Sequence, residues 1–82
     1  MEIKILGTGC PKCKTLENLT REVIAENNIQ ATVEKVDDIM KIMEYGIMRT
    51  PGLVIDGKVI FSGTVPSKNE LTKIILNTEQ NV

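Results

Sequence analysis

Apolar residues in this chain come in short runs whose spacing changes from segment to segment. Glu2 to Leu6 is a brief apolar stretch with β-branched Ile3 and Ile5, stopped by Gly7-Thr8-Gly9, and predicts a strand. From Pro11 to about Glu26, the positions Leu16, Leu19, Val23 and Ile24 recur at helical spacing and form one stripe. Proline suits the first turn because its missing N–H would have no partner there. Asn27-Asn28 closes that helix, and Ile29 to Val36 reads as a second strand with imperfect alternation. Asp37 or Asp38 can cap a short helix carrying Ile39, Ile42 and Met43 on one side, with Gly46 ending it. Two β-branched runs, Leu53-Val54-Ile55 and Val59-Ile60-Phe61, flank Asp56-Gly57 and predict a hairpin, since its turn needs positive φ at both centres. Ser67-Lys68-Asn69-Glu70 has the form of a capping box and opens a last helix with Leu71, Ile74 and Ile75 facing in. Residues 77–82 read as a polar tail, frayed over 78–82.

The predicted order is β-α-β-α-β-β-α. A strand, a crossover helix and a second strand make a right-handed parallel unit, to which the hairpin adds antiparallel strands. The expected fold is therefore α/β, with a four-stranded mixed sheet between helices. At 82 residues the chain is one domain spanning 1–82, with no repeat or linker. A domain this small hides only about 60% of the surface its unfolded chain exposes, so its stability margin is thin.

Charge and composition then exclude several functions. Ten basic and eleven acidic residues are interspersed, with a net charge of −1. No basic stripe is present to follow a phosphate backbone, and only Tyr45 and Phe61 are available to stack on bases, so no nucleic-acid partner is expected. No apolar run approaches the roughly 20 residues that span a bilayer. The first residues lack the charge layout of a signal peptide. A cytoplasmic protein, monomeric and without a membrane partner, is expected. Histidine is absent, which removes the commonest metal ligand. Two cysteines cannot supply a secreted disulfide framework or a four-ligand metal site within one chain.

Those cysteines lie in Cys10-Pro11-Lys12-Cys13, where the first strand gives way to the first helix. A helix N-terminus presents unpaired N–H groups and about half a positive charge, which favours an anion. The thiolate is the form that attacks disulfides, and such a position lowers a cysteine pKa from about 8.5 toward roughly 3.5–7.5. The spacing brings the second sulfur within bonding reach of the first. Cys10, at the exposed tip, is the expected nucleophile, and Cys13, one turn into the helix, the resolving thiol. Lys12 places a mobile positive charge beside them. Two other readings stand alongside: half of a four-cysteine zinc site shared across a homodimer, and an inert pair in a non-catalytic adaptor. In Arg49-Thr50-Pro51-Gly52 the proline must stand at the start of its strand because it cannot donate to the ladder. On its residues alone this segment is a plain turn. Met40 and Met43 share a helical face with Ile39 and are expected to fill core, while Met48 lies in a loop near the cysteines, where substrate would bind.

Taken together, residues 1–76 resemble the short thioredoxin-like chains called small redox-active disulfide proteins, which share the minimal fold of glutaredoxins. The likeness rests on Cys10-Pro11-Lys12-Cys13 after the first strand, on Tyr45-Gly46-Ile47 leading to Pro51, and on Gly63 before a serine-started amphipathic helix. It implies a minimal thioredoxin fold and a thiol-disulfide oxidoreductase whose redox group is the Cys10–Cys13 disulfide, with no other cofactor and no metal. It also implies a cis Thr50-Pro51 peptide against the cysteines, with Pro11 and Lys12 in supporting roles. Thr50 would then offer its backbone to an extended substrate segment, with Met48 and Gly63 beside it. The implied partners are disulfide-containing target proteins and an electron donor resembling thioredoxin reductase. Two positions depart from thioredoxins, which keep an aromatic residue before the first cysteine and a buried acid six residues upstream of it. Here those positions hold Gly9 and Lys4, and a lysine cannot take a proton from Cys13.

Overall fold

The computed structural model describes residues 1–80. Its elements are β1 (Glu2–Leu6), α1 (Pro11–Glu26), β2 (Thr32–Val36), α2 (Ile39–Glu44), β3 (Gly52–Ile55), β4 (Lys58–Ser62) and α3 (Lys68–Gln80). One mixed sheet runs in the order β2-β1-β3-β4. β1 pairs in parallel with β2 through the α1 crossover and antiparallel with β3, which forms the hairpin with β4. Asp56 and Gly57 turn that hairpin with φ of 50° and 84°, the positive values the dipeptide predicts. A register shift opposite Leu53 and Val54 leaves Ile60 as the extra residue of a bulge.

The alternation of β1 divides the core. Ile3 and Ile5 join Leu53 and Ile55 on one face, against Leu16 and Val23 of α1 and Leu71 and Ile75 of α3. Leu6 and Val54 face the other way with Val36, and there Ile42 of α2 covers them, flanked by Tyr45 and Ile47. Thr20, the buried polar side chain of α1, returns its hydroxyl to the Leu16 carbonyl at 2.7 Å. At the surface, Lys68 of α3 reaches Glu22 and Glu26 of α1. Its hydrogen bond to Glu26 raises the Lys68 pKa, and because the lysine is exposed the pair contributes little to stability.

Three expectations need correction. The second strand begins at Thr32, not Ile29. Asn28 takes φ of 52°, and the Ile29 N–H bonds to the Ile24 carbonyl at 3.0 Å, so these residues complete the α1 terminus as a Schellman cap. Ile29 is buried as part of that cap and not as part of the ladder. Second, Met40 and Met43 do not fill core: they are exposed, as is Ile39. The six-residue α2, capped by Asp38 accepting from the Met40 N–H, is too short to bury more than Ile42. Third, α3 continues to Gln80, so residues 77–80 are helical and not tail; residues 81 and 82 lie outside the described residues.

Ile75 sits fully buried between α3 and the sheet. Ile75→Ala is expected to cost about 2–5 kcal/mol through lost burial and the cavity left behind. A urea titration would show this as a lower midpoint at unchanged slope.

Candidate active site

The site is built where the central strand ends. The Gly7 N–H bonds to the Val36 carbonyl at 3.0 Å, continuing the parallel ladder one residue beyond β1. The chain then turns through Thr8 and Gly9 into Cys10, the N-cap of α1, with extended φ and ψ of −66° and 161°. Its sulfur accepts the Cys13 N–H at 3.3 Å, and its carbonyl takes the Lys14 N–H at 3.1 Å. Cys10 Sγ thus occupies the position where a capping serine or aspartate would put its oxygen. The positive end of α1 faces it directly, which favours a thiolate there.

Cys10 and Cys13 are joined as a disulfide, with their Cα atoms 5.1 Å apart. Their surroundings are unequal. Cys10 is partly exposed, whereas Cys13 is only 5% exposed and packs over Gly7. A Cβ on Gly7 would come within 2.9 Å of Cys13 Cβ and collide with its sulfur. Glycine at position 7 is therefore what lets the helix start approach the strand. Pro11 and Lys12 lie exposed at the first turn.

The antiparallel register pairs Leu6 with Gly52, which brings the segment before β3 to the same end of the sheet as the cysteines. The Thr50-Pro51 peptide is cis. Pro51 is buried, and its carbonyl accepts the Gly63 N–H at 2.8 Å, so Gly63 is tied to this end as well. An apolar groove of about 270 Å³ opens beside the loop, lined by Thr8, Thr50, Met48, Met43, Ile42 and Ile39 among others. Met48 is 97% exposed at its edge. Cys10, Cys13, Met48, Thr50, Pro51 and Gly63 thus gather at one end of the molecule. Met43 and Ile39, expected in the core, are surface residues of the same groove.

Sequence reasoning missed a second, smaller space. A cavity of about 30 Å³ behind the disulfide is lined by Ile5, Gly7, Cys13, Lys14, Glu17 and Lys35, with Gly9. Lys4 is not part of it. Lys4 lines a separate hollow on the α2 face with Glu34, Lys41 and Tyr45, so the β1 residue beside Cys13 is Ile5. Counting six residues back from Cys10 gave the wrong face of the strand. The available signal was the spacing from Cys13 to Glu17, four residues apart on one helix face.

A family model described as thioredoxin domain matches residues 1–76. The chain belongs to the thioredoxin family. It is 43% identical to a thioredoxin of Methanothermobacter thermautotrophicus over 75 residues, covering 92% of this chain and 97% of that protein. It is 41% identical to a thioredoxin of Methanocaldococcus jannaschii over 70 residues, 84% of this chain and 79% of the other. With its disulfide at the start of α1, this thioredoxin-family chain is a thiol-disulfide oxidoreductase with a minimal thioredoxin fold.

The close packing at Gly7 can be tested without touching a sulfur. Gly7→Ala must push α1 away from β1, and overpacking of this kind costs about 1–3 kcal/mol. The expected result is a lower urea midpoint for the oxidised protein; an unchanged midpoint would show that the contact is slack.

Proposed function

We propose that this protein reduces disulfides in target proteins, with Cys10 as the attacking thiol and Cys13 as the resolving thiol. The observation that carries the reading is the inequality of the two sulfurs. Cys10 Sγ is partly exposed and accepts an N–H of the helix start, while Cys13 is buried one turn further in. The Cys10 thiolate attacks one sulfur of the target disulfide; a Cys10–target bond forms and the other target sulfur leaves as a thiolate. Cys13, deprotonated, then attacks Cys10 Sγ, and the second target sulfur leaves with the electron pair of the broken bond. The target gains two electrons and the protein returns to the oxidised disulfide. A dithiol donor resembling thioredoxin reductase restores the thiols, and the electrons need no bound cofactor beyond the cysteine pair itself. A cysteine pair that cycles between thiol and disulfide suits the cytoplasm, and no described helix is long and apolar enough to cross a membrane. The protein acts as a monomer.

The target segment lies across the groove beside Thr50. Neither the N–H nor the carbonyl of Thr50 is paired with another backbone group among the described residues, which supports pairing with an extended substrate strand. Met43 and Met48 supply adaptable apolar contact for side chains flanking the target cysteine, as suits a surface that must accept many partners. Gly63, tied to Pro51, lies beside that strand, while Pro11 starts the helix and Lys12 adds charge near the Cys10 thiolate.

A titration in dithiol buffers, with free thiols trapped by alkylation and masses read, should show one reversible two-electron transition near the reducing end, at about −270 mV. A transition far to the oxidising side would make the protein an oxidant, and no reversible disulfide would overturn the reading. Cys10→Ser should abolish exchange, and Cys13→Ser should accumulate mixed disulfides with target proteins on a denaturing, non-reducing gel. Replacing Met43 and Met48 together by serine should raise KM for a protein disulfide about threefold to tenfold, from the loss of roughly a kcal/mol of apolar contact. Exchange with a small-molecule disulfide should not change.

A further inference from the structure

The chain has arginine at positions 21 and 49, and the two are used differently. Arg21 grips Glu17 through Nε at 3.1 Å and Nη2 at 3.0 Å. Arg49 makes no ion pair among the described residues, so its guanidinium keeps its whole fork of N–H donors for a partner from outside. The place of Arg49 is nonetheless fixed. It lies one residue before the cis Thr50-Pro51 peptide, and the buried Pro51 holds the backbone from which the side chain leaves. Its stem then lies across Gly63: a Cβ there would fall 3.1 Å from Arg49 Cβ and 3.3 Å from its Cδ. Gly63 has φ of 79° and donates its N–H to the Pro51 carbonyl at 2.8 Å, so the surface under the stem is itself anchored. Long basic side chains lay an apolar stem on such a surface and keep the charged head in water.

No acid lines the groove beside Thr50. Among the described residues that do line it, Arg49 is the charged one. Asp37 and Asp38 follow β2 at this end of the sheet without reaching the groove, and Asp38 is committed to the Met40 N–H. Across the disulfide, the first turn of α1 carries Lys12 and no acid, although a helix start ordinarily favours acids. The reactive end is therefore locally cationic in a chain whose net charge is −1.

We propose that Arg49 selects among targets, favouring protein disulfides whose cysteine is flanked by Asp or Glu. The inference rests on the reading that target segments lie across Thr50. An extended segment paired with the Thr50 backbone passes the Arg49 side chain, and a carboxylate on it meets a planar fork able to take both oxygens at once. Because Gly63 already supports the stem, less side-chain freedom is lost on pairing than for an unsupported arginine. A basic flanking residue meets like charge instead, with no acid in the groove to offset it, and this discriminates against the wrong partner. The methionines give apolar contact to any target, and Arg49 sorts those targets by charge.

Two short peptides test this, each closed by one cysteine–cysteine disulfide and differing only in Glu or Lys beside the cysteines. The reduced protein is mixed with each for a single turnover, quenched in acid, and peptide reduction is read by mass. The wild-type rate constant should be about tenfold higher for the Glu peptide at low ionic strength, and the difference should shrink in about 0.5 M salt. Net charge alone would favour the Lys peptide, because the chain is −1 overall, so a Glu preference reports the local cation. Arg49→Gln should cut the ratio of the two rates to about twofold, and Arg49→Glu should invert it. Taking the ratio cancels any effect of a substitution that both peptides share. Arg49→Lys should keep part of the preference, since it keeps the charge and loses the fork. Equal rates with the two peptides, or a Glu preference that survives Arg49→Gln intact, would overturn the proposal while leaving disulfide exchange in place. Failure of the wild-type protein to reduce either peptide would overturn the exchange reading itself, and the proposal with it.

Discussion

One hydrogen bond organises the reactive end of this protein: the Cys13 N–H donated to Cys10 Sγ at 3.3 Å. It makes a sulfur the N-cap of a sixteen-residue helix, where an oxygen would ordinarily sit. The same contact does two kinds of work. It satisfies one of the amides that a helix start leaves without a partner, and it aims the positive end of the helix at the atom that must carry charge. Everything around it serves to keep α1 beginning at that point. The ladder runs one residue past β1 to Gly7, the absent side chain of Gly7 admits Cys13, and Leu6 opposite Gly52 brings the Pro51 segment alongside.

The two layers on the sheet have different thicknesses, and that difference shapes the surface. α1 and α3 bury a broad set of apolar side chains on one face. On the other, a single short helix covers a small cluster, leaving Ile39, Met43 and Met48 exposed beside the cysteine loop. Stability is concentrated in the thick layer, whereas the thin one is free to present adaptable apolar side chains. Such a surface with few buried contacts is the part of a fold that adjusts most cheaply to a partner.

Much of this was legible in the chain. The Asp56-Gly57 hairpin was, because its turn chemistry admits few residues, and so was the redox pair, because its strand-to-helix position carries its own electrostatic reason. The extent of α2 was not. Ile39, Met40 and Met43 have the spacing of a buried stripe, and only the sheet area left to cover determines that Ile42 alone is needed. The start of β2 was hidden because Ile29 is apolar for the sake of a helix cap. The Lys4 comparison failed for a reason peculiar to strands: a count that is off by one residue changes the face. Glu17 and Lys35 lie on different elements, and their meeting at Cys13 depends on how α1 lies over the β1–β2 pair.

Two spaces of different size lie at this end of the molecule. The wide groove beside Thr50 is open, fitted to a partner that arrives and leaves, while the narrow one behind Cys13 is small and more enclosed. The disulfide lies between them, with Cys10 toward solvent and Cys13 toward the interior. A dithiol protein needs both conditions at once. A resolving thiol exposed to the groove would compete with Cys10 for targets, and one buried beyond reach of Cys10 would leave the mixed disulfide in place. Placing the second sulfur one helical turn further in satisfies both, because three residues of α-helix carry it from the surface to the inner cavity while keeping its Cα 5.1 Å from that of Cys10.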